Sequence, residues 1–231
     1  MKAMDDAIDT VLFDLDGTLI DTAPDMVRAL NELLAAEGRA SFDYEQVRPH
    51  VSNGAAALLR LAFGDDVARD ESDRRHHEFL QRYAADIARD SRPFPGIEAL
   101  LDEIERRGMA WGVVTNKPGW LTEPLLSALD LASRAACIVS GDTLAQRKPD
   151  PAPILHACHR IPTRPQCTIY VGDAERDIAA GRAAGTRTMV ALFGYIEPGG
   201  QPGSWGADAL LAQPQDLWAH VPSVRRPGKA G

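Results

Sequence analysis

The sequence predicts an α/β fold: a Rossmann-like three-layer core with a parallel sheet, plus an inserted α-helical cap. Three observations predict it. From residue 97 onward, short apolar runs alternate with helix-length amphipathic stretches, as in βαβ units. The first such run, Val11-Leu12-Phe13, leads directly into two carboxylates and a glycine turn, Asp14-Leu15-Asp16-Gly17-Thr18. Between that turn and the punctuation Pro93-Phe94-Pro95-Gly96, the alternation gives way to a polar, helix-rich stretch.

In chain order, residues 11–13 form the first strand. Met26, Val27, Leu30, Leu33 and Leu34 recur at helical spacing, so a helix opens near Thr22-Ala23-Pro24 and stops at Gly38. Residues 58–63 and the set Phe79, Leu80 and Tyr83 mark two further helices. After residue 96 the series is regular. Helices are predicted over 97–106, 120–129, 151–159 and 176–184, and strands over 111–115, 137–140, 168–171 and 187–192. Leu210-Leu211 gives a last short strand. The predicted core covers 1–20 and 93–221, the helical cap 21–92, and a disordered tail 222–231, where Arg225, Arg226 and Lys229 are solvated charges.

Composition narrows the function. The 231 residues, 45% hydrophobic, suffice for one core with a small insert. A formal net charge of −8 argues against a nucleic-acid polymer or an anionic membrane surface as partner, since each needs a basic face. A small phosphorylated ligand reads only local charge and stays open. The three cysteines, Cys137, Cys158 and Cys167, are odd in number and lack metal spacing, which fits reduced thiols in the cytoplasm. Residues 1–9 have no signal-peptide core, and no apolar run approaches a membrane span.

Ligands of open α/β sheets bind beyond the carboxyl ends of the strands, so the residues there carry the chemistry. The first strand delivers Asp14 and Asp16, with Cα atoms roughly 6–7 Å apart on one side of the chain. The second delivers Thr115 and Asn116, the third Lys148, the fourth Asp173 and, one helical turn on, Asp177. This set fits phosphoryl transfer. Asp14 would be the nucleophile, and Asp16 the acid for the leaving alkoxide and then the base for water. Thr115, Asn116 and main-chain N–H groups would hold phosphate oxygens, and Lys148 would stabilise developing charge. Asp14, Asp173 and a main-chain carbonyl at Asp16 would hold Mg²⁺, with Asp177 orienting Lys148 or a metal-bound water. Taken singly, each motif also has a plain structural reading. Asp-Gly-Thr makes a turn, Thr115-Asn116 ends a strand and caps a helix, and Asp150-Pro151 is a helix N-cap and first-position pair.

The four motifs, Asp14-Leu15-Asp16-Gly17-Thr18, Thr115-Asn116, Lys148-Pro149 and Gly172-Asp173 with Asp177, resemble those of the haloacid-dehalogenase superfamily over nearly the whole chain. Asp21-Thr22-Ala23-Pro24-Asp25 and Ser52-Asn53-Gly54-Ala55 resemble the phosphoglycolate phosphatase group. Gly194-Tyr195-Ile196, Trp205-Gly206-Ala207-Asp208 and the run 111–118 are similar to the N-acetylmuramic acid 6-phosphate phosphatases. Ala174 departs from the pattern, since many relatives carry a hydroxyl residue or second acid there.

The resemblance implies a Mg²⁺-dependent phosphatase acting on a small phosphorylated acid or sugar, as a monomer or homodimer. N-acetylmuramic acid 6-phosphate leads 2-phosphoglycolate as substrate. It also implies a cap that closes over the site and selects the alcohol. Ser52, Asn53 and Gly54 are its expected substrate-facing loop, with Gly54 permitting close backbone approach. The same three residues read equally as a helix N-cap. His50, His76 and His77 read as solvated helix positions. Trp120 and Trp205 are read as packing residues rather than sugar platforms. The alternatives are a sugar phosphomutase on the same core and a non-catalytic module that binds a phosphorylated ligand. Carbon–halogen hydrolysis needs neither metal nor acid, so Asp16, Asp173 and Lys148 argue against it.

Overall fold

The computed structural model describes residues 7–69 and 73–221. The predicted disordered tail at 222–231 lies outside the described residues, as do residues 70–72 of the insert. The chain runs β1 (Thr10–Phe13), β2 (Ile20–Asp21), α1 (Ala23–Ala36), α2 (Tyr44–Val47), a 3-10 helix (Arg48–Asn53), α3 (Gly54–Phe63), α4 (Asp65–Arg69), α5 (Arg74–Ala85) and β3 (Arg92–Pro93). It continues with α6 (Ile97–Arg106), β4 (Ala110–Val114), α7 (Gly119–Ala128), β5 (Cys137–Val139), α8 (Ala152–Arg160), β6 (Thr168–Gly172), α9 (Glu175–Ala184), β7 (Arg187–Ala191) and β8 (Ala209–Leu211).

Six of these strands form one parallel sheet in the order β5-β4-β1-β6-β7-β8. β1 is central, with Phe13 level with Val113 on one side and Val171 on the other. All four β1 residues are buried, as a strand covered by helices on both faces must be. The helices bury one stripe each. In α6, Ile97, Leu100, Leu101 and Ile104 face inward at helical spacing, each contributing about 2 kcal/mol by burial. The termini predicted for the core elements hold within one or two residues, whereas α3, expected from residue 58, begins at Gly54. At α8 the first helical residue is Ala152 and Pro151 takes the N-cap position, so the expected Asp150 N-cap and Pro151 first-position pair is shifted by one; Asp150 still accepts a hydrogen bond from the Ala152 N–H at 2.8 Å.

The parallel order carries the ends of β1, β4 and β6 to one edge of the sheet. The helices α1 to α5 enter and leave the core through a two-stranded antiparallel ribbon, with Ile20 opposite Pro93 and Asp21 opposite Arg92. Next to that ribbon, Asp25 is fully buried in the first turn of α1. It accepts hydrogen bonds from the main-chain N–H groups of Asp90 and Ser91 and from the Ser91 hydroxyl at 2.6 Å, and pairs with Arg28 at 3.3 Å. One carboxylate thus ties the start of the insert to its end.

Replacing Asp25 by Ala leaves two main-chain donors and a hydroxyl unpaired in the interior. The expected loss is about 3 kcal/mol of folding stability, read from urea denaturation.

Candidate active site

Asp14 leaves β1 with its main-chain N–H bonded to the Val171 carbonyl, which keeps the carboxylate level with the end of β6. The chain then folds on itself, and the Leu15 carbonyl accepts from the N–H groups of Thr18, Leu19 and Ile20. Gly17 has φ +84°, and a Cβ there would lie 2.0 Å from Asp173 Oδ2. Position 17 therefore requires glycine both for its backbone angle and for its clearance. The turn separates the two carboxylates. Asp14 points into the buried cluster at the sheet edge, whereas Asp16 Oδ1 accepts from Thr22 Oγ1 at 2.6 Å and from Lys117 Nζ at 2.9 Å.

Lys148 Nζ is the centre of that cluster. It sits 2.8 Å from Asp14 Oδ1, 2.8 Å from Asp177 Oδ1 and 2.8 Å from the Tyr170 hydroxyl, with its side chain 1% exposed. The Tyr170 hydroxyl passes its own hydrogen to the Val114 carbonyl, so this ring anchors the ammonium to the sheet. Burial alone would raise the Asp14 carboxyl. Lys148, with Arg176 beyond it, more than offsets this and holds Asp14 below the usual carboxylate range. Asp177 shares the same ammonium but stands above its ordinary value, because burial and the Asp14 charge outweigh Lys148 there. Asp177 Oδ2 also accepts the Ala174 N–H at 3.0 Å, so it caps α9 while it positions Lys148.

Asn116 departs from the expectation that it holds phosphate. Its side-chain oxygen accepts the Lys148 N–H, and its amide donates to the Lys148 carbonyl, both at 3.0 Å. The carboxamide is committed to the main chain of Lys148, across a cis Lys148–Pro149 bond, and acts by positioning that residue. Thr115 is buried with its hydroxyl accepting the Lys117 N–H at 3.2 Å, so its own hydrogen remains available for an incoming oxygen.

Asp173 follows β6 and is 1% exposed. Its Oδ2 accepts from Ser52 Oγ at 2.5 Å and from the Tyr195 N–H at 2.8 Å. Its Oδ1 is buried without a hydrogen-bond partner. Burial, then the charges of Asp14 and Asp177, raise this carboxyl to about 7. Oxygens of Asp14, Asp173 and Asp177 lie within 4.8 Å of one another. An all-oxygen set with one orphaned acceptor and a raised carboxyl suits a hard divalent cation such as Mg²⁺. The Asp16 side chain is outside this trio, and the ligand expected from residue 16 is its main-chain carbonyl. That carbonyl accepts from Ser52 Oγ at 3.2 Å.

Ser52 and Asn53 do reach the core, though not through a helix-capping bond. Asn53 makes no capping bond to α3. Its amide donates to Glu197 and its oxygen accepts from Arg176, both at 2.7 Å. The close approach expected at Gly54 is absent, since a Cβ there would meet nothing within 4 Å. Glycine serves its φ of +73° instead.

Four residues of the site were not singled out from sequence. Lys117 is buried between Asp16 and the Tyr83 hydroxyl of α5, 3.0 Å away, and lies over the Tyr83 ring. Burial would lower this ammonium, and Asp16 and Tyr83 hold it above its ordinary value instead. Tyr83 is pushed up to about 12 by burial. Tyr195 accepts the Ala23 N–H and donates to Asp21 Oδ1 at 2.5 Å, joining the loop after β7 to the entry of the insert. Arg176 donates to the Ser52 carbonyl at 2.5 Å. Two carried a local signal, Lys117 directly after Thr115-Asn116 and Tyr195 within the Gly194-Tyr195-Ile196 motif, though neither was given a role. The contacts of Tyr83, Tyr195 and Arg176 span more than 30 residues.

Fold and site together define an α/β enzyme whose chemistry gathers at the carboxyl ends of a parallel sheet. The chain belongs to the haloacid dehalogenase-like hydrolase family, whose profile matches residues 11–191. A phosphoglycolate phosphatase of Xylella fastidiosa is 48% identical over 90% of this chain and 93% of its own. An N-acetylmuramic acid 6-phosphate phosphatase of Pseudomonas aeruginosa is 43% identical, over 94% and 95%. Among solved structures, a predicted phosphoglycolate phosphatase from Haemophilus somnus superposes with a TM-score of 0.80 at 25% identity, covering 94% of this chain and 99% of that one. CbbY from Rhodobacter sphaeroides in complex with phosphate gives 0.72 at 26% identity, covering 91% and 96%. No helix among the described residues is long and apolar enough to cross a membrane.

The raised Asp173 carboxyl predicts a pH effect on stability. The unfolded group releases its proton near 4 and the folded one near 7, so the folded state binds more protons between them and loses stability as pH rises through that window. In divalent-free buffer at pH 8, Asp173→Asn should melt about 5 °C above the parent, with the gap closing toward pH 5 in calorimetry.

Proposed function

We propose that the chain is a Mg²⁺-dependent phosphatase that hydrolyses a small phosphate monoester through an aspartyl-phosphate on Asp14. One observation carries this reading: the two neighbouring carboxylates are held in different electrostatic settings. Asp14 is kept ionised by Lys148, as a nucleophile requires. Asp16 is turned to Thr22 and Lys117 on the side of the insert.

Asp14 attacks phosphorus, the bond to the ester oxygen breaks, and Asp16 supplies the proton that the departing alkoxide takes up. Asp16 then removes a proton from water, which attacks the phosphorus of the aspartyl-phosphate. Phosphate leaves and Asp14 is restored. Lys148 stays beside Asp14 throughout and stabilises charge on the transferring group, with Asn116, Asp177 and Tyr170 fixing its position. The Thr115 hydroxyl is free to donate to a phosphate oxygen. Asp14, Asp173 and the Asp16 carbonyl would hold Mg²⁺, which when bound offsets the repulsion between the anionic nucleophile and the anionic phosphate.

N-acetylmuramic acid 6-phosphate is the first candidate substrate and 2-phosphoglycolate the second, each supported by relatives more than 40% identical over nine-tenths of the chain. The insert, whose loop 52–54 bonds to the core beside Asp173, is read as the cap that selects between them.

The deciding experiment is phosphate release from both esters with and without Mg²⁺. Asp14→Asn should lower kcat by at least about 10⁴-fold, and excess chelator should abolish turnover in the parent. Undiminished release by that variant in chelator would overturn the mechanism.

A further inference from the structure

A cavity of about 350 Å³ lies between the insert and the core. One wall comes from α3 and α5, the other from Lys117 and the start of α7. Lys117, which lines the cavity, bonds Asp16 directly, so one side chain separates the cavity from the carboxylate that the proposed mechanism assigns to the leaving group. Its lining combines two chemistries. Leu80, Tyr83 and Trp120 supply apolar surface, and Trp120 remains 51% exposed, one of few large hydrophobic side chains so placed. Lys117, Arg147 and His76 supply positive or protonatable groups, and no described lining residue is acidic. In a chain of net charge −8 that local excess marks the ligand's sign. Lys117 is already paired with Asp16. Arg147 is exposed. Only its Nε has a partner among the described residues, the Gly141 carbonyl at 2.7 Å, which braces the guanidinium and leaves its terminal nitrogens unpaired.

We infer that this cavity is the specificity pocket for a hexose-sized alcohol bearing a carboxylate remote from the phosphate. Trp120 packs on the sugar face, and the Arg147 guanidinium pairs with the carboxylate. The inference rests on the phosphatase reading above and adds to it the residues that choose the substrate. Volume supports the assignment, because about 350 Å³ is within the range of pockets that enclose drug-sized ligands and a two-carbon acid would leave most of it filled by water. Chemistry supports it too. A flat, half-exposed indole suits the apolar face of a pyranose, and a braced guanidinium suits bidentate carboxylate recognition.

The test compares kcat/KM for N-acetylmuramic acid 6-phosphate, N-acetylglucosamine 6-phosphate and 2-phosphoglycolate in the parent, Arg147→Ala, Arg147→Lys and Trp120→Ala. The two amino sugars differ only in the O-lactyl group, which carries the carboxylate. Arg147→Ala should lower the ratio of the acid sugar to the neutral sugar about tenfold or more, mainly through KM, with Arg147→Lys recovering part of it. Trp120→Ala should lower both hexose esters relative to 2-phosphoglycolate. Equal losses on both sugars in Arg147→Ala, or unchanged ratios in all three variants, would overturn the pocket assignment. Absence of phosphate release from every ester in the parent would instead overturn the phosphatase reading. Both side chains are solvent-exposed, and unchanged circular dichroism melts would confirm that the variants fold.

Discussion

The ammonium of Lys148, buried between Asp14 and Asp177, is the interaction on which the rest of the site depends. Three acids meet at one sheet edge, and without a cation among them their mutual repulsion and desolvation would be prohibitive. Lys148 neutralises part of that charge but not all of it. Asp14 falls below its ordinary range, while Asp177 and Asp173 rise above theirs. The excess negative charge at Asp173 is what a divalent cation would complete. Much of the surrounding polar structure serves Lys148. Asn116 holds its main chain, Tyr170 its side chain, and Asp177 links it to the first turn of α9.

A second constraint follows from the insert. It contacts the core through polar bonds at the residues that carry chemistry, not through a separate apolar face alone. Ser52 bonds Asp173, Tyr83 bonds Lys117, and Arg176 bonds the Ser52 carbonyl. These bonds are directional, so movement of the insert would change the partners of Asp16 and Asp173 together. In the proposed phosphatase, a cap built this way would couple selection of the alcohol to the state of Asp16 and Asp173.

Much of this was legible in the sequence. Apolar runs and helical spacing located the six strands of the sheet and the core helices to within one or two residues, because burial on both faces and on one stripe leaves a periodic trace. The strand-end rule then brought Asp14, Lys148, Asp173 and Asp177 together although 163 positions separate the first from the last. Asn116 shows where this stops. Its residue type fits a phosphate ligand and equally a main-chain clamp, and only its distance to Lys148 separates the two. Gly54 is similar, since glycine marks close approach and positive φ alike.

By itself, the sequence determined the α/β class, the order of its elements and the chemical character of the strand-end residues, since these follow from periodicity and residue type along the chain. The tertiary structure decided how the charges are shared. Which carboxylate faces Lys148 and which faces Lys117, which acid is raised above its ordinary range, and which insert residues close on the core depend on distances of a few ångströms between distant segments. Electrostatic energy inside a protein varies steeply over that range, and no local pattern in the chain records it.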